Sequence, residues 1–222
     1  PDDVEALIGR ARARRILGDS AGAREDVAQA LKDKPDHLVA RVHMARLYAD
    51  SGRAPQAVKE LTRALNGNRD FAMAYEVLAS VLAGEGDERA FAAWSRTIQL
   101  VPENARARVG RALMYLKKGN KTLAEKDFLE AVRLAPDDFS PLYHRGESRC
   151  RLGDKDGCAE DLVAVLKLEV RDAPAATAMA DRLAELKLLK EAVAMYGKAV
   201  TAALSDPAPG GKADAALALR RR

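Results

Sequence analysis

Glycine recurs in this chain at Gly18, Gly52, Gly86, Gly119 and Gly153, in steps of 34, 34, 33 and 34 residues. Proline keeps the same beat at Pro1, Pro35, Pro102 and Pro136, with Arg69 filling the one missing slot. Small residues run Ala11, Ala45, Ala79, Ala112, Gly146, Ala180. A second small series runs Ala30, Ala64, Thr97, Ala131, with Val165 and Ala199 following. Four series with one period are the signature of a repeat array, in which a single supersecondary unit is copied and stacked. The stretch 105–138 shows the unit most clearly. One helical pattern passes through Ala112 and closes at Gly119. A second passes through Ala124, Phe128 and Ala131 and is ended by Pro136. The one-residue deficit falls between Gly86 and Trp94. In such an array each repeat contacts mainly its neighbours, so 222 residues become one elongated domain rather than two ordinary ones.

This two-helix pattern resembles the tetratricopeptide repeat family over about Val4 to Leu204. The resemblance implies an all-α fold, a right-handed α-solenoid of helix-turn-helix tetratricopeptide repeats. The repeats fall at about 4–37, 38–71, 72–104, 105–138, 139–172 and 173–204, an array spanning 1–204. Residues 205–222 follow as a linker and possible capping helix or frayed tail. The sixth repeat departs furthest, because Lys187 stands where the turn glycine belongs and no proline follows at Leu204. Pro1-Asp2 matches Pro35-Asp36 and Pro136-Asp137 at repeat ends, which predicts at least one more repeat upstream in the parent protein.

The periodicity predicts twelve helices, at about 3–17, 21–32, 37–50, 54–65, 71–83, 88–100, 105–118, 121–134, 139–152, 156–168, 173–186 and 190–204. Ser20 reads as the N-cap of the second. Pro55 and Pro141 fall in first turns, where a missing N–H costs little. Trp94 takes the slot held by Val27, Leu61, Phe128, Leu162 and Tyr196, so it is read as a core anchor. Asp137-Asp138 is read as a cap for the next helix. Cys150 and Cys158 flank the turn at Gly153 and are read as two free thiols in a reducing compartment, since two cysteines do not make a disulfide framework, with a disulfide or a redox pair as the alternative. After Leu204, SDPAPGG stops the last helix, and Arg220-Arg221-Arg222 reads as a solvated basic tail.

Composition excludes several classes of function. Net charge is +4 and the pI about 9.1, too mild to decide for nucleic acid. Arg10, Arg12, Arg14 and Arg15, or Arg106, Arg108 and Arg111, could meet phosphates, but the aromatics that base stacking needs are scarce. No run of 18 apolar residues exists, so nothing reads as a membrane-spanning helix. The histidines are His37, His43 and His144. His37 and His43 are six apart, as are His144 and Cys150, so neither pair shares a helix face. No HExxH, GxSxG, phosphate-binding loop or paired CxxC occurs, so there is no support for an enzyme, a metal, a cofactor or a small-molecule substrate. Heavy use of Ala and Arg is read as a GC-rich bacterial genome. The compartment stays open, with the cytoplasm favoured over the periplasm.

The resemblance implies a concave groove lined by the first helix of every repeat, suited to a partner peptide or helix. Mapped onto this chain, the groove positions are Ile8, Arg12, Arg15, Val42 and Arg46, then Arg106, Val109, Leu113 and Leu116, then Tyr143, Glu147 and Asp181, with Glu5, Glu76, Ser80 and Cys150 among the others. The N-terminal half is basic with aliphatic patches, the centre apolar, the C-terminal end more acidic. The arginines would hold acidic side chains or a terminal carboxylate. Val109, Leu113 and Leu116 would offer an apolar patch. The clamp by which some family members hold chaperone C-termini is absent, because its places hold Ile8, Arg12, Arg46, Glu76 and Ser80. The function expected is a non-catalytic protein-binding scaffold, with self-association through terminal repeats possible. The rivals are an RNA-binding helical repeat, and a regulatory or assembly domain of a larger enzyme or of a secretion or envelope complex.

Overall fold

The computed structural model describes residues 3–205. Twelve helices and no strand occur among them: α1 Val4–Ile16, α2 Ser20–Asp33, α3 Leu38–Asp50, α4 Ala54–Gly67, α5 Ala72–Gly84, α6 Arg89–Leu100, α7 Ala105–Lys117, α8 Lys121–Leu134, α9 Phe139–Arg151, α10 Lys155–Val165, α11 Ala173–Glu185 and α12 Leu189–Ser205. Each lies within a few residues of its predicted span. Pro1-Asp2, the 206–222 segment and its basic end lie outside the described residues. The chain divides within α8 into two compact bodies, Pro1–Ala124 and Glu125–Arg222.

The turns explain the glycine beat. Gly18, Gly52, Gly86, Gly119 and Gly153 all have positive φ, between +70° and +87°. A side chain at such a φ crowds the backbone, so glycine is the default residue there. Lys187, at the sixth turn, is forced into the same conformation with φ +65°. The helix starts are equally local. Asp3, Asp19, Asn104, Asp138, Asp154 and Asp172 each accept a backbone N–H from the first turn of the helix they precede. The cap of α2 is therefore Asp19, accepting from Gly22 N at 2.9 Å, and not Ser20, which is already helical.

In the first body α1 packs on α2, α2 on α3, and so on to α7. The first helices of consecutive repeats, α1, α3, α5 and α7, also touch side by side. In the second body α9, α10, α11 and α12 pack in sequence. The two small-residue series are interior, with Ala45, Ala79, Ala112, Ala30, Ala64, Ala131 and Ala199 all fully buried. The anchors Val27, Leu61, Trp94, Phe128, Leu162 and Tyr196 are buried as well. Trp94 is the largest, and Gly110 makes room for it: a Cβ there would sit 2.4 Å from Trp94 Cε2.

A buried acid precedes the anchor in four repeats: Asp26, Glu60, Asp127 and Asp161. In repeat one, Arg10 grips Asp26 through Nε and Nη2 at 3.0 and 2.6 Å, and Arg14 adds a contact at 2.9 Å. Repeat five reproduces the arrangement with Arg145 on Asp161 at 3.0 and 2.5 Å and Arg149 at 3.1 Å. In repeat two, Arg41 and Arg63 share Glu60 at 2.8 and 2.6 Å. The bonds from Arg10, Arg14, Arg41, Arg145 and Arg149 tie the two helices of a repeat together beside the apolar contact, whereas Arg63 meets Glu60 within α4.

Cys150 and Cys158 correct the expectation of free thiols. They form a disulfide, with Cα atoms 5.2 Å apart, in the range that such a bond requires. The tight turn at Gly153 folds the end of α9 onto the start of α10 and brings the two sulfurs together.

Candidate functional site

The first helices of the first body share one face, and a cavity of about 330 Å³ opens on it. Arg15 of α1, Arg46 and Asp50 of α3, Glu76, Val77, Ser80 and Val81 of α5, Glu85 after it and Arg106 of α7 are in its walls. Small residues, Ala49, Gly52, Ala54 and Gly84, leave the hollow open. The helical spacing explains the convergence: Glu76 and Ser80 are four apart, as are Arg46 and Asp50, so each pair stacks on one face.

The charges in this cavity are unequal in their engagement. Arg15 pairs with Asp50 at 2.9 Å. Glu76 accepts from Asn104 Nδ2 at 2.9 Å and lies 3.5 Å from Arg106. Arg46 makes no hydrogen bond or ion pair with any described residue, although it is partly buried. Burial pulls its guanidinium below the usual arginine range. Glu76 opposes that, and the neighbouring cations Arg15, Arg106 and Arg12 add to it. Beneath them on α3, His43 is only 8% exposed. Burial first, then Arg46, Arg15 and Arg12, lower its pKa to about 4, so it is neutral at physiological pH.

The structure sorts the residues predicted to line a groove. Arg15, Arg46 and Arg106 come together at the cavity, and Glu76 and Ser80 join them. Arg12 is exposed nearby on α1. Ile8, Val42 and Val109 are corrected: at 6%, 0% and 5% exposure they belong to the packed interior and offer a partner no surface. The apolar patch is thereby reduced to Leu113 and Leu116, which are themselves half-buried. Glu5 is engaged by His37, which accepts from Ala40 N through Nδ1 and so presents Nε2–H to Glu5 at 3.0 Å.

In the second body the candidates are occupied within their own fold. Glu147 pairs with Arg182 at 3.1 Å, and Asp181 accepts from the Tyr196 hydroxyl. Tyr143 is half-buried, and burial together with Glu147 raises its pKa. Cys150 is held in the disulfide.

The arginine–acid clamps were not anticipated. Arg10 and Arg14 had been grouped with residues that could meet phosphate, yet both close on Asp26. The signal was present as acids at 26, 60, 127 and 161, one residue before four of the six anchors. No group of three or more His, Cys, Asp or Glu side chains is placed to hold a metal among the described residues. None of their helices is long and apolar enough to cross a membrane.

Comparison with known proteins adds the following. One tetratricopeptide repeat model matches residues 15–81 and a second matches 88–139. No curated protein sequence matches the chain. Among solved structures, a thermophilic tetratricopeptide repeat protein of Thermus thermophilus is similar at 19% identity and TM-score 0.72, over 82% of this chain and 99% of that one. PilF of Pseudomonas aeruginosa is similar at 16% identity and TM-score 0.70, over 99% and 97%. PilW, described as a type IV pilus biogenesis factor, is similar at 16% identity and TM-score 0.72, over 99% of each chain. At these identities the likeness carries the fold alone.

Proposed function

Because this chain belongs to the tetratricopeptide repeat family, we propose that it is a protein-interaction scaffold that receives a segment of another protein on the shared face of α1, α3, α5 and α7. The observation that carries this reading is the cavity of about 330 Å³ on that face. A pocket of this size accepts one or two side chains, as a passing peptide or helix would present them. Its walls combine apolar side chains from Val77 and Val81 with charges of both signs. That mixture suits a polypeptide better than nucleic acid. Asp50, Glu76 and Glu85 would repel a phosphate backbone, while Arg10 and Arg14 are committed to Asp26. The function needs no chemistry from the site, only shape and charge held still by the repeat stack beneath it.

The test uses Ser80, which lines the cavity. A photo-crosslinking amino acid at this position is expected to capture a discrete partner from the source lysate. Ser80→Trp, which fills the hollow, is expected to abolish capture by an affinity-tagged chain while leaving the helical circular dichroism unchanged. Equal recovery of partners by the wild type and a folded Ser80→Trp variant would overturn the proposal.

A further inference from the structure

We infer that the first-body cavity is a subsite for a single acidic side chain of the partner segment, with Arg46 as its anchor. This rests on the reading of the cavity as the partner-binding face. Arginine is costly to remove from water without a counter-charge, and partly buried ones are ordinarily paired. Arg15, also partly buried, follows that rule with Asp50, and the exposed Arg106 lies 3.5 Å from Glu76. Arg46 lies between them on α3, partly buried, with three cations near it, Glu76 acting on it only from a distance, and no carboxylate in contact among the described residues. Neutral His43 supplies no counter-charge. Arg46 is thus the arginine of the cavity that has no carboxylate in contact, beside a hollow large enough to admit one.

The same walls set the chemical class. A guanidinium presents its donors in a planar fork that fits a carboxylate with two parallel bonds. Asp50, Glu76 and Glu85 limit how much further negative charge the hollow tolerates, which favours a monoanion over a phosphate dianion. The hollow opens on a face running across α1, α3, α5 and α7, so a segment lying along that face reaches it by a side chain rather than by its terminus. Aspartate or glutamate within the partner is therefore the ligand.

Titrating the full chain with N-acetyl-glutamate amide is the test, followed by NMR of the Arg46 Nε–H and the His43 ring. N-acetyl-glutamine amide and inorganic phosphate serve as comparison probes. Saturable shifts of both signals are expected with the glutamate probe, with a Kd of roughly millimolar order as suits one charge-assisted contact. The glutamine probe is expected to produce none, phosphate to bind at least about tenfold more weakly, and Arg46→Gln to abolish the response. Arg46→Lys, which keeps charge without the fork, is expected to weaken it. Absence of shifts, or shifts that persist in a folded Arg46→Gln, overturns the acidic subsite. Partner capture that still depends on Ser80 would then show that the binding face survives and only this inference has failed. Phosphate binding as tightly as glutamate would also overturn it, in favour of a general anion site.

Discussion

Replacing Asp161 by alanine is expected to destabilise repeat five by about 3–5 kcal/mol, and replacing Asp26 in repeat one by only about 1–2 kcal/mol. The two acids occupy the same slot, 3% and 4% exposed as side chains, and each is gripped by two arginines four residues apart. What differs is the access of those arginines to water. Arg10 and Arg14 are 57% and 34% exposed, so once Asp26 is gone they rehydrate. The loss is then mainly two or three charged hydrogen bonds, each discounted because water replaces it. Arg145 is 11% exposed and cannot do so, which leaves an uncompensated cation inside the second body. Arg149, 22% exposed, retains Glu125 at 2.6 Å and adds less. A loss at the upper end is a large share of the total stability of a domain, about 5–15 kcal/mol. Urea unfolding of both variants, with amide hydrogen exchange to resolve α2 from α10, measures the comparison locally. Asp161→Asn should fall between, since it keeps the shape and one acceptor. A cost for Asp26→Ala equal to or above that of Asp161→Ala would refute the argument that solvent access of the partner sets the magnitude.

Four further outcomes follow from the same structure. Gly52→Ala meets no atom within 4 Å, so its cost of about 1 kcal/mol isolates the positive φ, while Lys187→Gly is expected to gain about 0.5–1 kcal/mol for the converse reason; thermal melts read both. Gly110→Ala drives a methyl into Trp94 and is expected to cost about 1–3 kcal/mol, part of which Trp94→Phe in the same chain restores. His43 has a folded pKa of about 4, below the ordinary histidine value of 6.5, so its contribution to stability is complete above pH 6.5 and is lost as pH falls toward 4. That gap amounts to roughly 3 kcal/mol at most, and His43→Gln should flatten the profile measured by urea midpoints across that range. Intact mass with and without reductant should differ by the two hydrogens of the Cys150–Cys158 bond, and reduction is expected to lower the stability of repeat five by about 2–3 kcal/mol.

The architecture was legible in the sequence because its determinants are local. A positive-φ turn selects glycine wherever it occurs, so five turns announce themselves at Gly18, Gly52, Gly86, Gly119 and Gly153, and the sixth, at Lys187, could be placed from the repeat length alone. Close helix contacts select small residues and a single large anchor per repeat, so Ala79 and Trp94 declare their burial by recurrence. The candidate surface was legible only in outline. A helix position tells which way a side chain points, and that placed Arg15, Arg46 and Arg106 on one face. It does not tell whether the neighbouring repeat covers the position, which is why Ile8, Val42 and Val109 were taken for surface and proved to be core. Nor does it tell which charges find one another. Arg15 meets Asp50 across 35 residues, Arg10 meets Asp26 across 16, and Arg46 has no acid in contact among the described residues. Periodicity is a property of the chain, and it determined the repeat. Pairing and solvent access are properties of distances between helices, and only their packing decided which of the cavity's arginines has no carboxylate in contact.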